Sequence, residues 1–263
     1  MIRPSGLLAI AMIVLAAPRL SAQDNYEIQV YGADLVPAGA TMFELHSNFT
    51  SQSGVDLGPG QYSTFHAEHE TLEITHGFSD IFELGYYNFT TTQPGIGFNW
   101  VGTHLRPRFS APARWHLPVG LSISQEFGYQ KAQFSPDVWT YELRPIIDQH
   151  LGRFYWAVNP ALEYSFKGEA AGTGAEFSPG ATIGFDATRR LNVAFEYYGS
   201  YGPVSHLQSF NQTEQELFPA INYDFGPDWE FNLAMGIALT HHTDVVGLKM
   251  IIGRRVGMHA APK

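Results

Sequence analysis

The residues with the clearest potential for chemistry are charged side chains that alternate with apolar ones. The run His104-Leu105-Arg106-Pro107-Arg108 places ionisable groups at every second position, and Glu44-Leu45-His46 does the same with a carboxylate and an imidazole. Successive side chains of a β-strand point to opposite faces, so each run presents its ionisable groups on one face. Groups gathered in this way can pair with each other, bind ions or select the charge of a passing solute.

Similar runs recur along the chain and define a set of candidate residues that would line a common interior. The candidate lumen and selectivity residues are Glu44, His46, Glu73, Glu83, His104, Arg106, Arg108, Glu126, Glu142, Arg144, Glu163, Glu196, Glu230 and Lys249, with Lys167 as a further cation. Carboxylates outnumber cations in this set, and two interpretations stay open. The set is either a salt-bridged, solvated interior that holds a narrow barrel open, or a filter that favours cations. The same set of charged residues can serve both purposes.

Two histidine clusters are weak candidates for metal ligands. His66 and His69 lie beside Glu68 and Glu70, and His241 and His242 precede Asp244. Imidazole and carboxylate suit divalent metals, but the spacing is loose and polar loops without a metal are the commoner case. The sequence therefore predicts no cofactor and no catalytic residue.

Strands must position these side chains, and the stretch 72–89 is their best example. Apolar residues alternate with polar ones on both sides of the turn Gly77-Phe78-Ser79-Asp80, and the pattern recurs at 181–198 and 219–239. Among the residues expected to face outward are Val101 and Val246. The predicted strands are 40–51, 66–76, 80–91, 98–109, 117–130, 137–148, 153–166, 176–187, 190–200, 213–225, 228–240 and 243–253.

The fold class that this pattern favours is all-β: a single transmembrane antiparallel up-and-down β-barrel of about 12 strands with both termini periplasmic. Turns after even-numbered strands are tight and loops after odd-numbered strands are longer, as in outer-membrane barrels. A soluble β-sandwich or lipocalin-like barrel is the structural rival. Charges on the inward face and large aromatics on the outward face favour the membrane barrel.

Four segments follow from composition and from the ends of the barrel pattern. Residues 1–22 have the charged start, apolar run and small-residue site of a secretory signal peptide. Residues 23–39 are expected to form a periplasmic N-terminal arm, 40–254 the barrel, and 255–263 a C-terminal tail. The sequence has no cysteine, and 25 Asp and Glu stand against 15 Lys and Arg. This acidic balance makes nucleic acid an unsuitable partner.

The repeats ITHGFSDIFELGYY and TIGFDATRRLNVAFEYY, behind the export signal, resemble Gram-negative outer-membrane barrels of the MetA-pathway phenol-degradation transporter type. The resemblance implies a channel or transporter for small solutes, aromatic or cationic, with outer-membrane lipid and the barrel-assembly machinery as partners. Such barrels usually end on an aromatic residue, whereas this sequence ends RRVGMHAAPK.

Two other classes of function remain as alternatives: an outer-membrane lipid hydrolase, and a structural or adhesive barrel without transport. A hydrolase would bring a serine and a histidine together. His46 and Ser47 are adjacent, so they should point to opposite faces, and the sequence contains neither Gly-x-Ser-x-Gly nor His-Glu-x-x-His. The expectation is a protein that is not an enzyme.

Overall fold

Antiparallel strands make up nearly all of the fold in this computed structural model, which describes residues 25–53 and 60–257. The expected signal peptide and residues 258–263 of the expected tail lie outside this range. The strands are β1 (Ala40–Gln52), β2 (Glu68–Ser79), β3 (Phe82–Gln93), β4 (Gly97–Ser110), β5 (Gly120–Gln130), β6 (Asp137–Leu151), β7 (Phe154–Gly168), β8 (Glu176–Asp186), β9 (Leu191–Gly199), β10 (Gln215–Tyr223), β11 (Trp229–Ala234), β12 (Ile237–Ala238) and β13 (Val245–Gly257). Short 3-10 turns occupy Ala113–Trp115, Val204–His206 and Phe210–Gln212. No helix in the described ranges has the length and apolar character needed to cross a bilayer.

The strands close into a barrel because the last strand pairs with the first. β13 pairs with β1, and each strand from β1 to β10 pairs with its sequence neighbours. β11 and β12 are the two parts of one spanning strand, since both pair with β10 in one continuous register. The gap between them faces Pro219, which has no N–H to donate to the ladder. Twelve strands therefore span the barrel, as the sequence predicted.

The two ends of the barrel differ in the length of their connections. At one end, called here the turn end, only Asp80 and Ile81 separate β2 from β3, and the connection between β6 and β7 is equally short. The opposite end, called the loop end, carries the longer connections between β1 and β2 and between β9 and β10. The difference agrees with the predicted pattern at most connections, but nine residues join β4 to β5 at the turn end and only three join β3 to β4 at the loop end.

The outer surface of the barrel is apolar. Leucine, isoleucine and aromatic side chains are exposed on the outward face of most strands, among them Phe43, Leu45, Leu72, Tyr86, Leu105, Phe127, Ile183, Phe195 and Leu248. An apolar surface of this extent on a soluble protein would drive association. On a barrel it matches the hydrocarbon of a membrane, with the polar residues inside.

Two residues depart from the predicted faces, and β-bulges explain both. Trp100 pairs with Thr90 and Gly102 with Phe89, which leaves Val101 as an extra residue on β4. The extra residue shifts the alternation by one position. Val101 is therefore fully buried on the inward face, where it joins an aromatic cluster with Phe89. The prediction that Val101 faces lipid was wrong.

Val246 was also expected to face lipid and is fully buried inside. Phe49 pairs with Leu248 and Thr50 pairs with Val246, so Gly247 is the extra residue of a second bulge. Both bulges fall beside a glycine, which is the residue that most easily adopts irregular strand geometry.

A substitution on each face of the barrel tests the assignment of lipid and lumen. Phe195 lies at the middle of β9 and is 55% exposed on the outer surface. Arginine at this position should lower the free energy of unfolding from lipid vesicles by about 2–4 kcal/mol, since a cation would enter the bilayer centre. Arginine at Asn222, which lines an interior cavity, is the matched control and should cost clearly less. Equal losses in a urea titration would contradict the assignment.

Candidate functional site: the lumen and the segment within it

The segment formed by residues 25–39, called here the luminal segment, lies inside the barrel. Near the loop end, Asn25 Nδ2 donates to Asp244 Oδ2 at 3.0 Å, and Asn48 Nδ2 donates to the Asn25 carbonyl at 2.8 Å. Near the turn end, Gly39 N donates to the Gly77 carbonyl at 2.8 Å. The segment therefore runs the length of the lumen, and the expected periplasmic arm is a structure within the barrel.

Gly77 is needed for this arrangement. A Cβ added to Gly77 would lie 2.1 Å from the Val36 carbonyl oxygen and 2.5 Å from that of Pro37. Both neighbours are backbone atoms that cannot rotate away. The glycine thus lets the luminal segment approach β2 closely enough for the bridge between Ala38 and Gly77.

Tyr31 stands at the centre of the lumen. Its backbone N donates to Asn159 Oδ1 at 2.7 Å, and Asn159 Nδ2 donates back to the Tyr31 carbonyl at 2.9 Å. Around its ring lie the guanidinium groups of Arg106, Arg144 and Arg108, at 4.5, 5.1 and 5.8 Å from the ring centroid. These cation–π contacts and the paired backbone bonds fix the segment to the wall on several sides.

Arg106 and its carboxylate partners form the densest part of the wall. Arg106 Nη2 lies 2.7 Å from Glu73 Oε1 and 3.7 Å from Glu83 Oε1, and Arg108 Nη1 lies 3.5 Å from the same oxygen of Glu83. Glu83 also accepts a bond of 2.6 Å from the backbone N of Val36. All four charged side chains are buried, so each depends on the others for compensation.

Arg108 completes the attachment of the segment by binding its backbone. Its Nη2 donates to the carbonyl oxygens of Gly32 and Asp34, the latter at 2.8 Å. Backbone carbonyls inside a protein need partners, and here the wall supplies them. The luminal segment thus uses the barrel in place of a neighbouring strand.

A second group of charges lies toward the loop end. His104 Nδ1 lies between two carboxylates, bonding to Glu126 Oε1 and, at 3.0 Å, to Glu27 Oε2. Glu27 is on the luminal segment and not on a strand. Beside this group Arg144 pairs with Glu142 at 2.6 Å. The imidazole is already hydrogen-bonded on the side that faces both carboxylates.

On the opposite wall Lys249 is paired within a polar group. Its Nζ bonds to Glu196 Oε2 and lies 3.2 Å from the Tyr198 hydroxyl, which itself donates to Glu196 at 2.8 Å. Asn232 Nδ2 donates to the other oxygen of Glu196 at 2.9 Å. The lysine charge is therefore matched locally by a single, fully bonded carboxylate.

The luminal segment divides the interior into two cavities. The cavity toward the loop end has a volume of about 150 Å³ and is lined by residues that include Tyr26, Glu27 and Arg144. The cavity toward the turn end has a volume of about 530 Å³ and is lined by residues that include Tyr31, Glu230 and Lys249. Tyr31 and its arginine neighbours lie between the two. The lumen is therefore open toward both ends and occupied by protein at its centre.

Both cavities carry an excess of acid. Eight carboxyl residues line the loop-end cavity, and they are Glu27, Glu126, Asp137, Glu142, Glu163, Glu176, Glu214 and Asp244, against one arginine. Eight line the turn-end cavity as well, and they are Asp34, Glu44, Glu73, Glu83, Asp148, Asp186, Glu196 and Glu230, against Arg106, Arg108, Lys249 and Arg255. Acidic residues thus outnumber basic ones on the walls of both cavities.

The structure places every one of the candidate lumen residues on the inner face. Most are buried, while Glu230 is exposed to the turn-end cavity and Glu163 is partly buried beside the loop-end cavity. Lys167 is the exception among the predicted cations, because it is exposed at the end of β7. Their role in selecting solutes stays a prediction.

The weak histidine candidates for metal binding are dispersed. His69 is buried against Tyr26 and lies 3.2 Å from the Thr50 hydroxyl, and His66 stacks on Phe65. His241 and His242 are exposed in the connection before β13. In the described parts of the chain, the close groups of histidine and carboxylate are Glu27 with His104 and Glu126, and Glu44 with His46 and Glu73. None of the four weak candidates belongs to either group.

His46 and Ser47 point to opposite faces, as predicted. His46 is fully buried inside the barrel, whereas Ser47 Oγ donates to Glu70 Oε2 at 2.8 Å. The alternation of strand 153–166 places Asn159 on the inward face, but the sequence analysis missed that Asn159 binds Tyr31 and holds the segment. Only the alternation of polar and apolar residues over 27–31 marked the segment as extended, and the same alternation fits a strand in a sheet.

Comparison with known proteins shows the fold. No family model matches the sequence, and no curated protein matches it. Among solved structures, the KdgM porin in complex with disordered oligogalacturonate superposes with a TM-score of 0.52 at 9% identity, over 83% of this chain and 99% of that chain. A second structure of the KdgM porin gives 0.50 at 11% identity, over 83% and 99%.

A more distant similarity is to LpxR from Salmonella typhimurium, with a TM-score of 0.39 at 9% identity over 83% of this chain and 100% of that chain. At that distance the likeness carries no argument about activity. The closed sheet, the apolar outer surface and the similarity to porins agree on one architecture. The chain has the fold of the outer-membrane β-barrel porins.

Proposed function

We propose that this protein is an outer-membrane channel for small solutes that prefers cations and is closed at its centre by the luminal segment. The excess of carboxylates over cations in both cavities supports this proposal most directly. In a confined lumen of lower dielectric, uncompensated charge acts more strongly than at an exposed surface. Passage through the barrel requires the luminal segment to move.

The distribution of charge also bears on the class of solute. The neighbouring porin structure contains oligogalacturonate, which is a chain of sugar acids. The acid excess of the present lumen would repel such a polyanion, so we propose cationic or neutral solutes instead. Aromatic solutes, as the resemblance to MetA-pathway phenol-degradation transporters implies, belong to this same proposal.

Ion selectivity in planar bilayers tests the channel. The full-length protein and a variant lacking residues 25–36 should both show reversal potentials of cation-preferring pores in a KCl gradient. Glu176 and Glu230 line the two cavities. The pair Glu176→Gln and Glu230→Gln should lower the cation preference by roughly severalfold, because it removes one acid at each mouth. Glu83 and Glu196 are poorer targets, since cations already compensate them.

Asp80→Asn is the matched control, because Asp80 is exposed in the turn between β2 and β3, outside both cavities. It should leave the reversal potential unchanged. An anion-preferring pore in the unmodified protein would contradict the proposal. So would a selectivity that the two glutamate substitutions leave unaltered.

A further inference from the structure

A histidine and three carboxylates meet on the inner wall near the turn end, at the junction of β11, β13, β1 and β2. Glu44 on β1 is the register partner of Glu73 on β2, and His46 follows Glu44 by two residues on the same face. Glu230 on β11 reaches the group across Gly253, which pairs with both Glu44 and Glu230. Strand pairing alone thus brings one imidazole and three carboxyl groups together.

Gly253 makes the room for this convergence. A Cβ at Gly253 would lie 2.5 Å from Met42 Cε and 2.7 Å from Glu44 Cγ, with Glu230 Cβ at 3.4 Å. A larger residue would therefore push Glu44 away from its present position. The glycine lets Glu44 and Glu230 lie side by side over a strand that offers no side chain of its own.

The ligand atoms of Glu44, His46 and Glu73 are buried and incompletely bonded. His46 is fully buried, and neither of its ring nitrogens makes a hydrogen bond. Glu44 Oε1 and Glu73 Oε2 also lack hydrogen-bond partners. Buried polar atoms normally find partners, so several unpartnered atoms at one point leave a bound ligand room to complete the network.

The spacing of these atoms suits a metal ion. The ligand atoms of the three residues all lie within 4.8 Å of one another, and His46 Nε2 lies 3.4 Å from Glu73 Oε2. Two ligands with metal bonds of about 2.0–2.1 Å in a tetrahedral site are about 3.4 Å apart. The observed separation is long for a hydrogen bond and right for two ligands of one ion.

Glu73 is already oriented for this task. Arg106 Nη2 at 2.7 Å and the Thr75 hydroxyl at 2.6 Å both hold its Oε1, which leaves Oε2 directed at His46. Partners of this kind fix the position of a ligating carboxylate. The other group of histidine and carboxylates differs, because His104 Nδ1 there is hydrogen-bonded to both of its acids.

We propose that Glu44, His46 and Glu73 form a binding site for a divalent transition-metal ion, with Glu230 as a further ligand or as the acid that guides the ion from the turn-end cavity. Glu44, Glu73 and Glu230 line that cavity, so an ion reaches the site from the turn end. The imidazole selects Zn²⁺ and its neighbours in the transition series over Mg²⁺, which prefers oxygen ligands alone. This metal-site proposal does not rest on the proposed channel function.

Metal titration of the full-length protein in detergent tests the proposal. After chelator treatment and dialysis, Zn²⁺ should bind at one equivalent in calorimetry, and Co²⁺ should give the visible absorption of a four- or five-coordinate site. His46→Gln and Glu44→Gln should each weaken Zn²⁺ binding by more than about tenfold. His69→Gln is the matched control, because His69 is also buried and faces inward on β2; it should bind Zn²⁺ as the unmodified protein does.

A second measurement keeps the result interpretable if a variant folds poorly. Zn²⁺ should raise the thermal midpoint of the unmodified protein and of His69→Gln, and should not raise that of Glu44→Gln, with folding verified by gel mobility without heating. Equal Zn²⁺ binding by the unmodified protein and by His46→Gln would overturn the site. It would mean that Zn²⁺ binds to separate carboxylates elsewhere in the protein. Absence of Zn²⁺ binding at millimolar concentration, or equal binding of Mg²⁺, would overturn it as well.

Discussion

Removing residues 25–36 should raise the conductance of the barrel roughly tenfold or more, because the two cavities would then join into one water-filled path. The segment removed contains Tyr31, which separates the cavities, and its partners on the wall face water after removal. The variant keeps Pro37 to Gly39. The hydrogen bond from Gly39 N to the Gly77 carbonyl, just before β1, therefore stays intact. Single-channel recording in planar bilayers measures the change.

A reversible crosslink provides the control for this deletion. Val30 Cγ2 lies 3.5 Å from the position of a Cβ at Gly180 on β8, and the sequence has no other cysteine to compete. Val30→Cys with Gly180→Cys should form a disulfide that keeps conductance at its lowest level, and a reductant should restore it to that of the unmodified protein. Each single cysteine variant should be insensitive to reductant. High conductance in the oxidised double variant would mean that solutes bypass the segment.

Replacing Arg106 with leucine should lower the free energy of unfolding by about 3–5 kcal/mol, which is the effect of removing one partner from a buried ion pair. Arg106 compensates Glu73 and Glu83, both almost fully buried, and lies over the Tyr31 ring. Without it, Glu83 keeps Arg108 as a partner, whereas Glu73 loses its arginine. Urea titrations of the barrel refolded into vesicles measure the loss.

Arg153→Leu is the matched control for this substitution. Arg153 is exposed at the turn end and bonds to backbone carbonyls of Asp186 and Ala187. Its loss should change the free energy of unfolding by less than about 1 kcal/mol. Similar losses for the two arginines would show that the luminal pairs contribute little, and that water compensates Glu73 and Glu83.

Strand positions were predictable because each strand has two different environments. Along β1, Phe43 and Leu45 face lipid while Glu44 and His46 face the interior, and a period of two records this difference directly. Val101 and Val246 do not follow this rule. Val101 is the extra residue of one bulge, and Val246 is next to Gly247, the extra residue of the other. A bulge is defined by how two strands pair, and the sequence of one strand alone does not predict that pairing.

The sequence predicted which residues of the candidate site face the lumen, but not which of their side chains pair with each other. Inward positions identified Glu73, Glu83 and Arg106 as lumen residues, yet their pairing depends on side chains that reach across strands. The luminal segment shows the limit more clearly. Residues 27–31 alternate like a strand, and only the closed barrel provides Asn159, Arg108 and Gly77 as their partners.

The route of the luminal segment sets an order for assembly. Asn25 of the segment is hydrogen-bonded to Asn48, which is 23 positions later in the chain, and to Asp244, which is 219 positions later. Contacts between residues so distant in sequence form slowly, since the loop between them must close first. The partners of the segment are complete only when β13 has paired with β1. We therefore expect the ring to close first and the segment to complete its contacts only afterwards.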